Sequence, residues 1–96
     1  MKYIKKPVDP VVVEAVQIKN EIHTLKDWDN IMPKWFMDSI GYTINPDPNE
    51  NGIYVKTSRG EIFAPWGSYI VYGENVYWLD AYGKDFFENT YEVYNG

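Results

Sequence analysis

Side chains that could do acid–base, nucleophilic or metal chemistry are few in this sequence, and their spacing suits none of these reactions. His23 is the only histidine, which excludes metal sites that need two histidines. No carboxylate lies at a spacing from His23 that would orient the imidazole as a general base. The chain has no cysteine, which excludes thiolate catalysis and disulfides. We expect His23 to be structural or exposed to solvent.

Carboxylates and hydroxyls give no stronger signal. Three acidic pairs are close in sequence and could supply an acid and a base or bind a divalent ion: Asp27 with Asp29, Asp47 with Glu50, and Asp80 with Asp85. Residues 45–52 are rich in oxygen ligands but lack the spacing of a calcium-binding loop. Ser68 follows Gly67 without the motif of a nucleophile elbow. The sequence therefore predicts no catalytic residue, no bound metal and no cofactor.

Aromatic residues are the remaining candidates for function. The chain has 9 Tyr and 4 Trp, whose apolar rings and polar tips suit a sheet with one face open to water. Alternation along residues 68–79 predicts that one side is core and the other exposes tyrosine. Such a face can stack a planar ligand or nucleotide, or form the centre of a protein interface; alternatively, the aromatic pairs only stabilise the sheet. The candidate binding residues are Trp66, Tyr69, Tyr72, Tyr77 and Trp78.

These candidates lie in a stretch whose pattern predicts a β-meander. Runs of β-branched and aromatic residues alternate with turns that each contain a glycine, which can adopt the positive φ of a tight turn. The predicted strands are residues 53–57, 61–64, 68–72 and 76–79.

The rest of the chain supplies further strands and a helical layer. The apolar run at residues 11–18 predicts a central strand whose even and odd positions face two layers. Glu14 interrupts the even face, which places it at the sheet margin or, alternatively, gives it a functional role. Residues 2–6 predict an edge strand or lead-in, residues 42–44 a short strand, residues 45–52 a loop, and residues 90–94 a last strand. Helical spacing at residues 24–40, divided by Pro33 and ended by Gly41, predicts one kinked helix or two short ones.

A short C-terminal helix is expected near Asp85. Together these elements predict an α+β fold with a mostly antiparallel sheet of about five or six strands, covered on one face by the segment 24–40.

Length and charge limit the classes of partner. Ninety-six residues correspond to one domain, residues 1–96. The net charge is −5 and the chain has a single Arg, so duplex nucleic acid is not an expected partner. Residues 41–96 contain eight acidic and three basic side chains, which favours a protein partner with a basic surface. No apolar run is long enough to cross a membrane, and we expect a cytoplasmic protein with no membrane association.

Four segments of the chain carry a resemblance to other proteins through their sequences and their order: KKPV at residues 5–8, VEAVQI at 13–18, GSYIVYG at 67–73 and DFFENTYE at 85–92. They resemble a group of small uncharacterised proteins encoded by phages and prophages. The chain departs from the group at Asp9 and Pro10, at Ser68, where the group usually has Asp, and at residues 80–83. The group has no assigned activity, so the resemblance implies a phage or prophage setting and a small α+β fold, and it transfers no catalytic residue.

These observations favour a non-catalytic binding protein over an enzyme. The leading hypothesis is a phage accessory or counter-defence protein that engages a host protein. The alternative is a binder or sponge for a small planar ligand or nucleotide that uses the aromatic face. A homodimer formed through the tyrosine-rich face or an unpaired edge strand is a further hypothesis about assembly.

Overall fold

The computed structural model describes residues 2–5, 12–19, 32–73 and 78–93. Its strands are β1 (Lys2–Lys5), β2 (Val12–Gln17), β3 (Ile44–Pro46), β4 (Gly52–Thr57), β5 (Gly60–Pro65), β6 (Tyr69–Tyr72), β7 (Asp80–Tyr82) and β8 (Tyr91–Val93), and its helices are α1 (Lys34–Met37) and α2 (Lys84–Thr90). Every pairing between these strands is antiparallel. The predicted α+β class with mostly antiparallel strands is confirmed.

The larger sheet has five strands in the order β7-β6-β2-β1-β8. Val13 and Ala15 of the central strand β2 are buried on one face, whereas Val16 and the following Ile18 pack on the other face. The prediction that residues 11–18 form a central strand between two layers is therefore confirmed. Strand β1 was expected at an edge or as a lead-in, but it lies between β2 and β8 because the last strand returns to pair with it.

The smaller sheet has three strands in the order β3-β4-β5. Strands β4 and β5 form a hairpin through Ser58 and Arg59, and Gly60 has a φ of +103°, which glycine adopts without strain. The Thr57 hydroxyl donates to the Gly60 carbonyl at 2.8 Å and accepts from the Arg59 N–H at 3.1 Å. Backbone pairing and one buried side chain therefore fix the turn together.

The predicted meander does not continue through one sheet. Strand β5 ends at Pro65, which has no N–H to extend the ladder. The Trp66 N–H still donates to the carbonyl of Asn51, which precedes the Pro65 partner Gly52, but the Gly67 N–H donates to the Ile18 carbonyl. The chain thereby crosses to the larger sheet, where β6 pairs with β2 and β7. The strands belong to the predicted class, but they form two sheets rather than one.

Several element boundaries also differ from the prediction. Strand β3 begins at Ile44 and includes Asn45 and Pro46, which were expected in a loop, because these residues pair with β4. Strand β7 covers Asp80–Tyr82 rather than residues 76–79, of which 76 and 77 lie outside the described residues. The short C-terminal helix is present as α2, and β8 follows it directly. Residue 94 of the predicted last strand lies outside the described part.

Helix α1 is shorter than the segment expected after Pro33. It ends at Met37, and the following turn is closed by the Ser39 hydroxyl, which donates to the Trp35 carbonyl at 2.8 Å. Gly41 has a φ of +87°, and it terminates this turn as predicted. The preceding part of the expected helical segment, residues 24–31, lies outside the described residues.

Two hydrophobic cores lie on the two faces of the larger sheet. The first lies between the sheets, and its fully buried members include Ile18, Phe36, Ile44, Ile53, Val55 and Ile70. The second lies under α2 and contains Val13, Ala15, Tyr69, Val71, Phe87 and Tyr91. Both faces are therefore covered, one by the smaller sheet with α1 and the other by α2.

A substitution at Gly52 tests how closely strands β4 and β5 of the hairpin approach each other. A methyl group at this position would fall on the backbone of Ala64 and Pro65 in β5. We expect Gly52→Ala to lower the free energy of unfolding by about 2 kcal/mol or more, because the facing backbone cannot move aside without disrupting the ladder. Denaturant titration measures this loss. Gly83→Ala is the control, since its methyl group would meet nothing within 4 Å; equal stability of the two variants would contradict the described packing.

Candidate functional site

The four aromatic candidates that the structure describes differ in burial and do not all lie on an exposed face. Tyr69 is buried, whereas Tyr72 and Trp78 are 47% and 43% exposed. Trp66 lies in the turn between β5 and β6 and packs partly against the first core. Tyr77 lies outside the described residues. The predicted face of exposed tyrosines is thus divided among separate environments.

Tyr69 belongs to the second core. Its ring stacks on Phe87 with centroids 4.1 Å apart, and its hydroxyl donates to Glu88 Oε2 at 2.7 Å. Burial raises the pKa of Tyr69, and the hydrogen bond to the carboxylate raises it further. Lys84 donates to Glu88 Oε1 at 2.8 Å, and the hydrogen bonds from Lys84 and Tyr69 lower the pKa of Glu88. Tyr69 was a candidate binding residue, but it is buried, and its side chain connects β6 to α2.

Trp66 holds the loop between β3 and β4. Its indole N–H donates to the Glu50 carbonyl at 2.7 Å. Glu50 has a φ of +59°, and the loop is also closed by Asp47, whose carboxylate accepts from the Asn51 N–H at 3.1 Å. The polar tip of Trp66 is therefore engaged within the chain, which favours a structural role.

Tyr72 belongs to an accessible aromatic cluster. Its ring stacks on that of Trp35 in α1, with centroids 5.2 Å apart and planes 14° apart. The Trp35 indole N–H donates to Glu14 Oε2 at 2.8 Å, and Glu14 lies directly opposite Tyr72 in the β2–β6 ladder. Side chains from three elements thus fix the orientation of the two rings.

This cluster continues into an apolar strip on the same face of the larger sheet. Side chains two residues apart on a strand share a face, so Val12 lies beside Glu14. Val12 is 37% exposed, and Ile4 lies opposite it in β1. We name this surface, formed by Ile4, Val12, Glu14, Trp35 and Tyr72, the Trp35–Tyr72 face.

Four of the five members of this face, Ile4, Val12, Glu14 and Trp35, were not among the site residues predicted from the sequence. The sequence assigns Trp35 or Phe36 to the helical layer and Glu14 to the margin of the sheet. Glu14 was the one residue whose position in the sequence could have indicated this face. A charged side chain that interrupts an apolar strand face needs a polar partner when it is partly buried. Trp35 supplies that partner through its single N–H donor.

Metal-binding clusters and membrane-spanning helices are absent from the part of the chain that the structure describes. In the ranges that the structure describes, no group of three or more His, Cys, Asp or Glu side chains is placed to hold a metal ion. Nor does the described part of the chain contain a helix with the length and apolar character needed to span a membrane. No protein-family model, curated protein or solved structure matches the chain.

The burial of Tyr69, together with its hydrogen bond to Glu88, leads us to expect a loss of stability at alkaline pH. The pKa of Tyr69 in the folded protein is raised above its ordinary value of 10.0, so the unfolded chain releases this proton first as the pH rises. The stabilisation is therefore complete below about pH 10 and declines above it. We expect Tyr69→Phe to reduce the slope of unfolding free energy against pH between about 9.5 and 11.5.

Denaturant titrations at several pH values measure this slope. Tyr42→Phe is the matched control, since Tyr42 is 75% exposed, and it should retain the wild-type slope. A Tyr69→Phe variant with the wild-type slope would show that the hydroxyl is not protected in the folded state.

Proposed function

We propose that this protein is a non-catalytic binding protein whose Trp35–Tyr72 face engages a host protein in a phage or prophage setting. The observation that carries the proposal is the stack of Tyr72 on Trp35, in which Tyr72 stays half exposed although its ring is held in a fixed orientation. Tyrosine and tryptophan are enriched among the residues that contribute most to protein interfaces. The phage setting is supported by the resemblance of the four sequence segments.

The neighbours of Tyr72 favour a protein partner over a planar ligand. Val12 and Ile4 extend the apolar area along two strands. One side of the Tyr72 ring is already stacked on Trp35, which leaves a planar ligand one side for stacking. A nucleotide would also need donors for its phosphates, whereas the residue opposite Tyr72 is the acidic Glu14. A protein surface can instead cover the whole strip.

The charge of the chain indicates the kind of protein surface that would bind. The net charge is −5, and residues 41–96 contain eight acidic against three basic side chains. On the face itself, the Glu14 carboxylate accepts from Trp35 and has further acceptor capacity, although Lys2 lies opposite it in β1. A partner with Lys or Arg side chains around an apolar centre fits this combination.

Affinity capture followed by titration tests the proposal. The tagged protein captures proteins from a bacterial host lysate, and each captured protein is purified and titrated against the wild type and Tyr72→Ala. We expect Tyr72→Ala to weaken binding about 30-fold, corresponding to about 2 kcal/mol for an interface tyrosine at a central position. Added salt should also weaken the complex, because it screens attraction between the acidic chain and a basic partner.

Tyr42→Ala is the matched control, because Tyr42 is exposed but lies outside the Trp35–Tyr72 face. Circular dichroism and Tm measurements establish that both variants fold. Equal losses of binding in the two variants, or no loss in Tyr72→Ala, would contradict the proposal. A nucleotide whose binding is lost in Trp78→Ala would support the small-ligand alternative. A dimer that Tyr72→Ala converts to the 11.3 kDa monomer would assign the face to self-association.

A further inference from the structure

A cleft lies between edge strands of the two sheets. Strand β5 is an edge of the smaller sheet and β7 is an edge of the larger one. Thr57 and Leu79 form a bridge between the sheets, and the space between β5 and β7 has a volume of about 210 Å³. Its lining includes Phe63, Pro65, Ser68, Ala81, Tyr82 and Gly83. None of these residues belongs to the Trp35–Tyr72 face.

The lining contains a buried hydroxyl group. The buried polar residues that the structure describes are Asp47, Thr57 and Ser68. Asp47 and Thr57 have hydrogen-bond partners, whereas the described residues supply none to the hydroxyl of Ser68, which is 3% exposed. A buried hydroxyl without a partner is costly and rare in folded proteins. A molecule in the cleft that donates or accepts one hydrogen bond would remove this cost.

The electrostatics of the cleft favour an uncharged ligand. None of the residues that line it is Asp, Glu, Lys, Arg or His. The nearby Arg59 guanidinium lies 5.6 Å from the centre of the Tyr82 ring, but it is paired with the Asp80 carboxylate, which also accepts from the Tyr82 hydroxyl at 3.1 Å. A charged ligand would therefore lose its hydration without gaining an unpaired counter-charge.

The size and walls of the cleft indicate the shape of the ligand. An enclosed apolar cavity of about 150 Å³ is sufficient to bind benzene. This cleft is somewhat larger, but it opens to solvent and has both polar and apolar walls, and the aromatic residues Phe63 and Tyr82 are among those that line it. We infer that the cleft binds a small neutral aromatic molecule with one hydrogen-bonding substituent, which contacts the Ser68 hydroxyl. This inference concerns a second surface and does not depend on the proposed protein partner.

The cleft could also be filled by a side chain of a peptide that pairs with a sheet edge as an added strand. The hydrogen bonds along the edge of β7 favour a free small molecule as the occupant instead. The backbone N–H of Ala81 donates to Asp80 Oδ1 at 2.9 Å, and its carbonyl accepts from Arg59 at 3.5 Å. Both backbone groups that a new strand would use at this position are therefore occupied. A peptide could pair only with β5, which leaves the β7 side of the cleft without strand pairing.

Titration of the ¹⁵N-labelled full chain with phenol, followed by NMR, tests the inference. We expect saturable shifts of the amide signals of Ser68, Tyr82 and Gly83, with a Kd of about 1 mM for a ligand of about seven non-hydrogen atoms. Ser68→Ala should weaken phenol binding about fivefold, as expected for one neutral hydrogen bond, and leave benzene binding unchanged. Without ligand, Ser68→Ala should raise the Tm by about 4 °C, because it removes a buried hydroxyl to which the described residues supply no hydrogen-bond partner.

A second variant keeps the test decisive if Ser68→Ala folds poorly. Gly83 has an ordinary φ of −60° and open space around an added Cβ, so Gly83→Leu should fold and weaken both phenol and benzene by narrowing the cleft. Ser58→Ala, in the exposed β4–β5 turn, is the control and should bind both as the wild type does.

Several results would overturn the inference. These are the absence of saturable shifts with phenol, unchanged binding in both Ser68→Ala and Gly83→Leu, and binding of benzoate as tight as that of phenol. A lower Tm for Ser68→Ala would mean that a retained water already satisfies the hydroxyl, and it would also contradict the inference. A capped peptide with one tyrosine that binds tenfold more tightly than phenol would assign the cleft to a peptide strand instead of a free molecule.

Discussion

The β2–β6 pair is apolar on both faces, and the rest of the structure is arranged to cover it. Ala15 is paired with Val71 and Val16 with Ile70, and these two neighbouring pairs belong to different cores. Complete burial of each valine or isoleucine contributes about 2 kcal/mol, so neither face can remain in water without a large loss. The chain therefore needs one layer on each side, and it supplies α2 on one side and the smaller sheet with α1 on the other.

Both candidate binding surfaces lie where this cover ends. Along β6, the side chains of Tyr69, Ile70 and Val71 are buried, whereas Tyr72 at the end of the strand is half exposed. Trp35 covers only one side of the Tyr72 ring. Just before the other end of β6, Ser68 is one of the residues that line the cleft between the edges of the two sheets. The limited size of the covering layers thus determines the position of both surfaces.

The sequence was sufficient to predict most of the strands, but not which elements pack against them or which sheet each strand joins. Alternation is a local property, so it correctly assigned Val13 and Ala15 to one layer and Val16 to the other. The same rule placed Tyr69 beside Val71 and opposite Tyr72, which the structure bears out. It did not show that the side of Tyr69 is buried, because this burial depends on the docking of Phe87 from α2, which no local pattern specifies. The change of sheet after β5 was missed for a similar reason.

That change depends on the hydrogen bond from Gly67 to Ile18, two residues that are distant in the chain. Glycine turns indicate where a strand ends, but they do not indicate which strand the chain joins next. The cleft could not be predicted from the sequence for the same reason. Its two sides, β5 and β7, belong to different sheets and come together only because the chain crosses from one sheet to the other.

The two surfaces are joined by β6 but are not expected to influence each other. Ser68 and Tyr72 are four residues apart, about 13 Å along an extended strand. Coupling over such a distance requires an element with two stable arrangements. A shift of β6 by one residue would exchange its faces, placing Ile70 against α2 and moving Tyr69 away from Glu88, its partner in the second core. Because hydrogen bonds to β2 and β7 and two buried faces all oppose such a shift, occupancy of the cleft leaves the Trp35–Tyr72 face unchanged.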